Sequence, residues 1–173
     1  RLVLFRSQEG SVFRTTSDTE VILTGYMMYG KDYVKKLNGI FAIALWDSFS
    51  GEICLFRDRL GVKPLFYTIQ GGTLVFASEI KGLFAYPGIR PLIDQDGLCE
   101  IFALGPAKSY GKGVFKDIRE VLPGHCLICG RDRCRTEAYW KLESCPHEDT
   151  MEETVEKTAW LVEDAVKKQM LSD

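Results

Sequence analysis

The run Ile40-Phe41-Ala42-Ile43-Ala44-Leu45-Trp46 carries no polar side chain and lies between Gly39 and Asp47-Ser48. Alternation of polar and apolar residues is absent, so neither face of a strand here can look at water, and the run reads as a strand buried on both sides. Ala42 and Ala44 share a face with Ile40 and Trp46, while Phe41, Ile43 and Leu45 line the other, so one face admits close approach. Three further apolar runs follow at short intervals, Ile53 to Phe56, Leu65 to Ile69 and Leu74 to Ala77. Turn-forming segments join them: Ser48-Phe49-Ser50-Gly51, Gly61-Val62-Lys63-Pro64 and Gln70-Gly71-Gly72. The expected element is a four-stranded antiparallel meander covered on its outer faces by helices or by a second sheet.

Helix signals flank this block. Ser17-Asp18-Thr19-Glu20 ahead of Val21-Ile22-Leu23 is a capping-box pattern, predicting a helix to about Tyr29 with Gly30 as its stop. Upstream, Arg1 to Gln8 reads as the end of a helix and Ser11 to Thr16 as an extended segment; downstream, Asp32 to Leu37 reads as a second short helix. Ser78 is placed to cap a helix bearing Ile80, Leu83 and Phe84 that ends at Pro87-Gly88, and Asp94 to Leu104 predicts another. Segments 124–129 and 133–140 predict a hairpin around Gly130-Arg131-Asp132. Thr150-Met151-Glu152-Glu153 is a second capping box, followed by Val155, Ala159, Val162, Val166 and Met170 at helical spacing. That apolar stripe needs a partner surface, and the polar Pro146-His147-Glu148-Asp149 before it predicts a domain boundary near residue 146.

Charge and cysteine usage narrow the function classes. The net charge is -2, with acids and bases interspersed, so the chain lacks the electrostatic footprint of a nucleic-acid or anionic-membrane binder. A small molecule or a protein is the expected partner. No apolar run approaches a membrane span and no signal-peptide pattern opens the chain, which predicts a soluble cytoplasmic protein. The six cysteines, at positions 54, 99, 126, 129, 134 and 145, are expected to be reduced, buried and inert. Zinc held by Cys126, Cys129, Cys134, Cys145 and His147 is disfavoured, because an odd separation along a strand points Cys126 and Cys129 to opposite faces. The glycines and lysines between Gly105 and Gly113 suggest a phosphate cradle but lack its spacing. His125 and His147 adjoin no nucleophile motif and are expected to be structural, and Arg57-Asp58-Arg59 reads as a salt-bridged corner.

Asp18 has two readings. In the first turn of a helix it complements the positive dipole end, and nothing more is needed to explain it. The same position suits an α-amino acid, whose ammonium needs an anion and whose carboxylate needs free N–H donors.

Six motifs in order give the chain a wider resemblance. They are Ser17-Asp18-Thr19-Glu20-Val21-Ile22-Leu23, Leu37-Asn38-Gly39-Ile40-Phe41-Ala42, Arg57-Asp58-Arg59-Leu60-Gly61-Val62-Lys63-Pro64-Leu65, Phe76-Ala77-Ser78-Glu79-Ile80-Lys81, Leu122-Pro123-Gly124-His125 and Tyr139-Trp140. Together they resemble the glutamine-hydrolysing asparagine synthetases. The resemblance implies an α+β fold, a four-layer α-β-β-α sandwich of antiparallel sheets of the N-terminal-nucleophile hydrolase type, incomplete at its N-terminal side. It implies a glutaminase domain over 1–146, and over 147–173 a linker with the first helix of a synthetase domain. In such enzymes an N-terminal cysteine attacks the glutamine amide, its own α-amine acts as base and an Asn-Gly pair stabilises the oxyanion. The released ammonia reaches a synthetase domain where ATP and Mg²⁺ activate aspartate.

By this resemblance Asp18 holds the α-ammonium of glutamine and is the site residue to carry over. The nucleophile, the arginine that grips the glutamine carboxylate and the oxyanion segment are expected to precede Arg1; Asn38-Gly39 is not that oxyanion pair, since its flanks match a different strand. The piece itself is expected to be catalytically inactive and to hold no cofactor, with ATP and Mg²⁺ belonging to the missing synthetase domain. Its partners are then glutamine and that domain, and its open sheet edges predict a homo-oligomer. The competing expectation is a non-catalytic amino-acid-binding or docking module on the same scaffold, or a glutaminase-degenerate relative such as a β-lactam synthetase.

Overall fold

The structure is a computed structural model and describes residues 14–15, 17–105 and 109–170. The helix end expected at Arg1 to Gln8 and most of the extended segment after Ser11 lie outside the described residues. Contacts divide the chain into two units, Phe13–Lys141 and a second whose described part is 142–170.

In the first unit, helix α1 (Asp18–Tyr29) leads into a short 3₁₀ helix (Gly30–Lys36) and then into strands β1 (Ala42–Asp47), β2 (Glu52–Arg57), β3 (Phe66–Gln70) and β4 (Thr73–Ala77). Helices α2 (Ile80–Leu83) and α3 (Gln95–Leu104) follow, then β5 (Arg119–Glu120) and the hairpin β6 (His125–Cys129) and β7 (Cys134–Ala138). The helix stops match their signals: Gly30 closes α1, and Asp94 caps α3 by accepting from Gly97 N–H at 3.0 Å. Glu79, not Ser78, is the N-terminal neighbour of α2, and it makes no side-chain cap.

The meander is not formed. The strands divide into a four-stranded sheet, β1-β2-β6-β7, and a three-stranded sheet, β4-β3-β5, all paired antiparallel. The chain changes sheets between β2 and β3. There Asp58 accepts Val62 N–H and Lys63 N–H, both at 2.9 Å, so the connection folds into a corner and β6 takes the free edge of β2. Gly61 has φ 68° in this corner, and a Cβ there would lie 2.7 Å from Pro123 Cγ and 3.0 Å from Arg57 Cζ.

The two sheets face each other. Leu55, Leu127 and Cys129 of one meet Leu65 and Val121 of the other in a single buried cluster, with Ala42, Ile53, Tyr67 and Leu74 packed against it. Helix α1 and the 3₁₀ helix cover the far side of the larger sheet, where Ile22, Tyr26, Val34 and Leu37 close on Ile43, Leu45 and Phe56. Helix α2 covers the far side of the smaller sheet through Leu83 and Ile80 against Phe66, Val75 and Ala77. The result is a four-layer α-β-β-α sandwich. Gly25 permits the first of these layers: the ring of Tyr33 lies where a Cβ would stand, 2.1 Å from Cζ.

Burial on both sides does not hold for β1. Leu45 faces the helical layer and is buried, whereas Ala44 and Trp46 on the opposite face are exposed, Trp46 by 64%. Strand β1 ends its sheet among the described residues, and of its inner-face residues Ala42 is packed against the cluster between the sheets. In the second unit, α4 (Met151–Met170) starts at the expected capping box: Thr150 Oγ1 accepts from Glu153 N–H and Glu153 accepts from Thr150 N–H at 2.9 Å. Its apolar stripe is exposed at Val155, Val162, Val166 and Met170.

Candidate functional site

The start of α1 is built by side chains that satisfy its free N–H groups. Ser17 Oγ accepts from Thr19 N–H at 3.2 Å. The Glu20 carboxylate accepts from Arg14 N–H at 2.8 Å and from Thr15 N–H at 2.7 Å, which binds the preceding loop to the helix end. Asp18 stands between Ser17 and Glu20 at the first position of the helix, exposed, and among the described residues no donor takes its carboxylate. An available anion beside the positive end of a 12-residue helix is suited to hold a substrate ammonium.

The Arg57-Asp58-Arg59 corner serves architecture. Arg57 Nη1 pairs with Glu120 Oε1 at 2.7 Å and donates to Val121 O at 2.8 Å, while Nε donates to Lys63 O and Nη2 to Gly61 O. Both partners of the ion pair are buried. The counter-ion is therefore Glu120 on the other sheet and not Asp58, whose carboxylate is taken by the backbone of the corner. Sequence reading missed Glu120 because nothing local to Arg57 marks a partner so far along the chain.

The remaining candidates for chemistry are accounted for by structure. His125 Nδ1 donates to Pro123 O at 2.7 Å, and His147 Nε2 meets Thr154 Oγ1 at 2.8 Å. Cys54 and Cys126 are buried thiols, and burial pushes Cys126 up to about 11, so neither is poised as a thiolate nucleophile at neutral pH. Cys99 and Cys145 are exposed, contrary to the expectation of burial. Cys129 and Cys134 are joined in a disulfide, contrary to the expectation of six reduced thiols, because the hairpin register places them directly opposite one another. Cys126 and Cys129 do fall on opposite faces of β6, one toward the helical layer and one toward the second sheet.

Among the described residues no group of three or more His, Cys, Asp or Glu is placed to hold a metal ion. A cleft of about 500 Å³ opens beside β5, walled by Asp96, Gly111, Lys112, Arg119, Leu127 and Thr136 among others. It contains the described end of the glycine and lysine loop. Lys112 leans on Asp96 and Glu100, each at 3.7 Å, and Ser109 N–H with Lys112 holds the Glu100 carboxyl below the usual carboxylate range. Asp18 does not line this cleft. Among the described residues no helix is long and apolar enough to cross a membrane.

Comparison with known proteins places these features in a family context. The sequence profile described as the glutamine amidotransferase domain matches residues 5–140. The chain is 46% identical over 164 residues to asparagine synthetase [glutamine-hydrolyzing] 3 of Bacillus subtilis, covering 95% of this chain and 27% of that protein. It is 36% identical over 163 residues to a putative asparagine synthetase [glutamine-hydrolyzing] 2 of Methanocaldococcus jannaschii, covering 92% of this chain and 32% of that protein. Among solved structures it resembles the glutamine phosphoribosylpyrophosphate amidotransferase of B. subtilis, with a TM-score of 0.53 at 25% identity, over 80% of this chain and 26% of that one. The chain thus spans roughly a quarter to a third of the length of these curated relatives.

Proposed function

The chain belongs to the glutamine amidotransferase domain family, and from that premise we propose that it is the larger part of the glutaminase domain of a cytoplasmic glutamine-dependent asparagine synthetase. The observation that carries this reading is the match to a glutamine-hydrolysing asparagine synthetase over 95% of the chain, reaching into the segment after residue 140 that lies beyond the amidotransferase profile.

On this reading the chain binds and orients; it does not supply the attacking thiol. Asp18 holds the α-ammonium of glutamine, at the positive end of the α1 dipole. Helix α1, which carries this anchor, packs through Ile22 and Tyr26 on Ile43 and Leu45 of β1 and Phe56 of β2. Ammonia released from glutamine serves the amidation of aspartate in a synthetase domain. ATP and Mg²⁺ supply the activation of aspartate in that domain, not among the residues described. Helix α4 opens the synthetase domain, with the boundary near residue 146. Until their edges are covered, the sheets pair with a second copy of the chain.

The test uses the full-length protein. Asp18→Asn raises KM for glutamine at least 10-fold and raises the ratio of ammonia-dependent to glutamine-dependent asparagine formation, because a lost ion pair to a bound ammonium removes about 1.5–3 kcal/mol. An unchanged KM for glutamine refutes the assignment of Asp18. The 173-residue chain alone releases no ammonia from glutamine and takes no label from a diazo-ketone analogue of glutamine; labelling refutes its inactivity.

A further inference from the structure

The disulfide between Cys129 and Cys134 has no part in the chemistry above. Gly130 N–H donates to Arg133 O at 3.0 Å and closes the turn over Arg131-Asp132. The next pair inward, Cys129 opposite Cys134, is then a non-hydrogen-bonded pair, the position at which opposing strands bring their Cα atoms closest. They are 4.1 Å apart. The two sulfurs belong to different surroundings. Cys129 is part of the buried cluster between the sheets, with Leu55, Leu65, Val121 and Leu127. Cys134 is exposed, on the strand that ends the larger sheet among the described residues.

We propose that this pair is a site of reversible thiol exchange with low-molecular-weight thiols, in which Cys134 is the sulfur attacked. A small thiolate forms a bond to Cys134 Sγ; the protein S–S bond breaks, and its electron pair leaves on Cys129 Sγ, which takes up a proton. Cys134 then carries a mixed disulfide. A second small thiolate attacks the small-molecule sulfur of that adduct, forming the small disulfide and releasing Cys134 as a thiolate. In sum, two small thiols are oxidised to one disulfide and the protein disulfide is reduced to two thiols; reclosure runs the same steps backwards. Burial of Cys129 among apolar side chains bars attack there, so access alone fixes the order of events. Reversibility accords with the cytoplasmic placement proposed above, where disulfides are rare and those that form are usually transient or redox-sensing.

The exchange has a structural consequence close at hand. Leu127 and Thr136, the next pair along the hairpin on the same face, line the cleft beside β5. The bond therefore fixes the strand that forms one wall of that cleft, and opening it leaves β7 attached by its ladder and by Tyr139 and Trp140, whose N–H groups both donate to Gly124 O. Closing so short a loop predicts a melting midpoint about 4–8 °C lower in the reduced protein.

The experiment equilibrates the folded protein in glutathione buffers of graded redox ratio, quenches with acid, alkylates under denaturing conditions and counts adducts by intact mass. The expected result is four alkylated cysteines at the oxidising end and six at the reducing end, with Cys129 and Cys134 identified by peptide mapping. Cys129→Ser in oxidised glutathione is expected to trap glutathione on Cys134, whereas Cys134→Ser leaves the buried Cys129 unmodified under native conditions. Six alkylated cysteines throughout, four throughout, or a Cys129→Ser protein that is modified at Cys99 and Cys145 but not at Cys134 each overturns the proposal. The wild-type titration decides the matter alone should either variant fail to fold.

Discussion

Replacing Arg57 by methionine tests what joins the two sheets. The substitution keeps an apolar stem but removes every donor of the guanidinium, taking its charge away from the buried Glu120 and its hydrogen bonds away from the carbonyls of Gly61, Lys63 and Val121. Breaking one side of a buried ion pair costs about 3–5 kcal/mol, a large share of the roughly 5–15 kcal/mol by which a domain is stable. With an m value near 2 kcal/mol/M for urea, the midpoint falls by about 1.5–2.5 M at unchanged m. Adding Glu120→Leu removes the other buried charge of the pair and recovers part of the loss, because apolar replacement of both partners is far milder than removal of one. Urea unfolding followed by tryptophan fluorescence measures all four corners of the cycle, with a coupling of at least about 2 kcal/mol expected. A shift below about 0.5 M for Arg57→Met, or a double variant as unstable as the sum of the singles, refutes the account.

Gly25→Ala forces a Cβ into the ring of Tyr33, itself buried and stacked on Tyr29, and is expected to destabilise the helical layer by about 1–3 kcal/mol; unchanged thermal melting by circular dichroism would sink this. Lys31 and Arg135 beside Glu52 hold its carboxyl below the usual carboxylate range. The folded state then binds fewer protons than the unfolded one, so this stabilisation is complete above the ordinary glutamate value of about 4.3 and is lost as pH falls through the lower folded value. Glu52→Gln is expected to flatten the loss of stability between about pH 5 and 3, read as urea midpoints at stepped pH; parallel curves for variant and wild type count against it. Trp46→Lys places a charge on the exposed inner face of β1 and is expected to shift the chain toward monomer in light scattering. A wild-type chain that is already monodisperse as a monomer refutes the self-association on which this depends.

Local signals determined the elements. Ser17, Gly30 and Asp94 mark helix ends through the hydrogen-bonding needs of four N–H or C=O groups, and the Arg131-Asp132 turn fixes the β6–β7 register, since these are interactions among residues near in sequence. The ordered motifs carried the family, and with it the layered fold. Partnership between distant segments was another matter. Four apolar strands in succession are compatible with one sheet or two, and the choice was made by the Asp58 corner and by β6 reaching the edge of β2. Glu120 as the counter-ion of Arg57 and the exposure of Trp46 likewise belong to the tertiary structure. The proposed site divides in the same way: Asp18 at a helix start is legible in the chain, whereas its exposure, and Glu20 turning back to the preceding loop, are seen only in the structure. Apolar pattern fixes which residues leave water, but only packing fixes against what they leave it, because burial energy is indifferent to the identity of its partner.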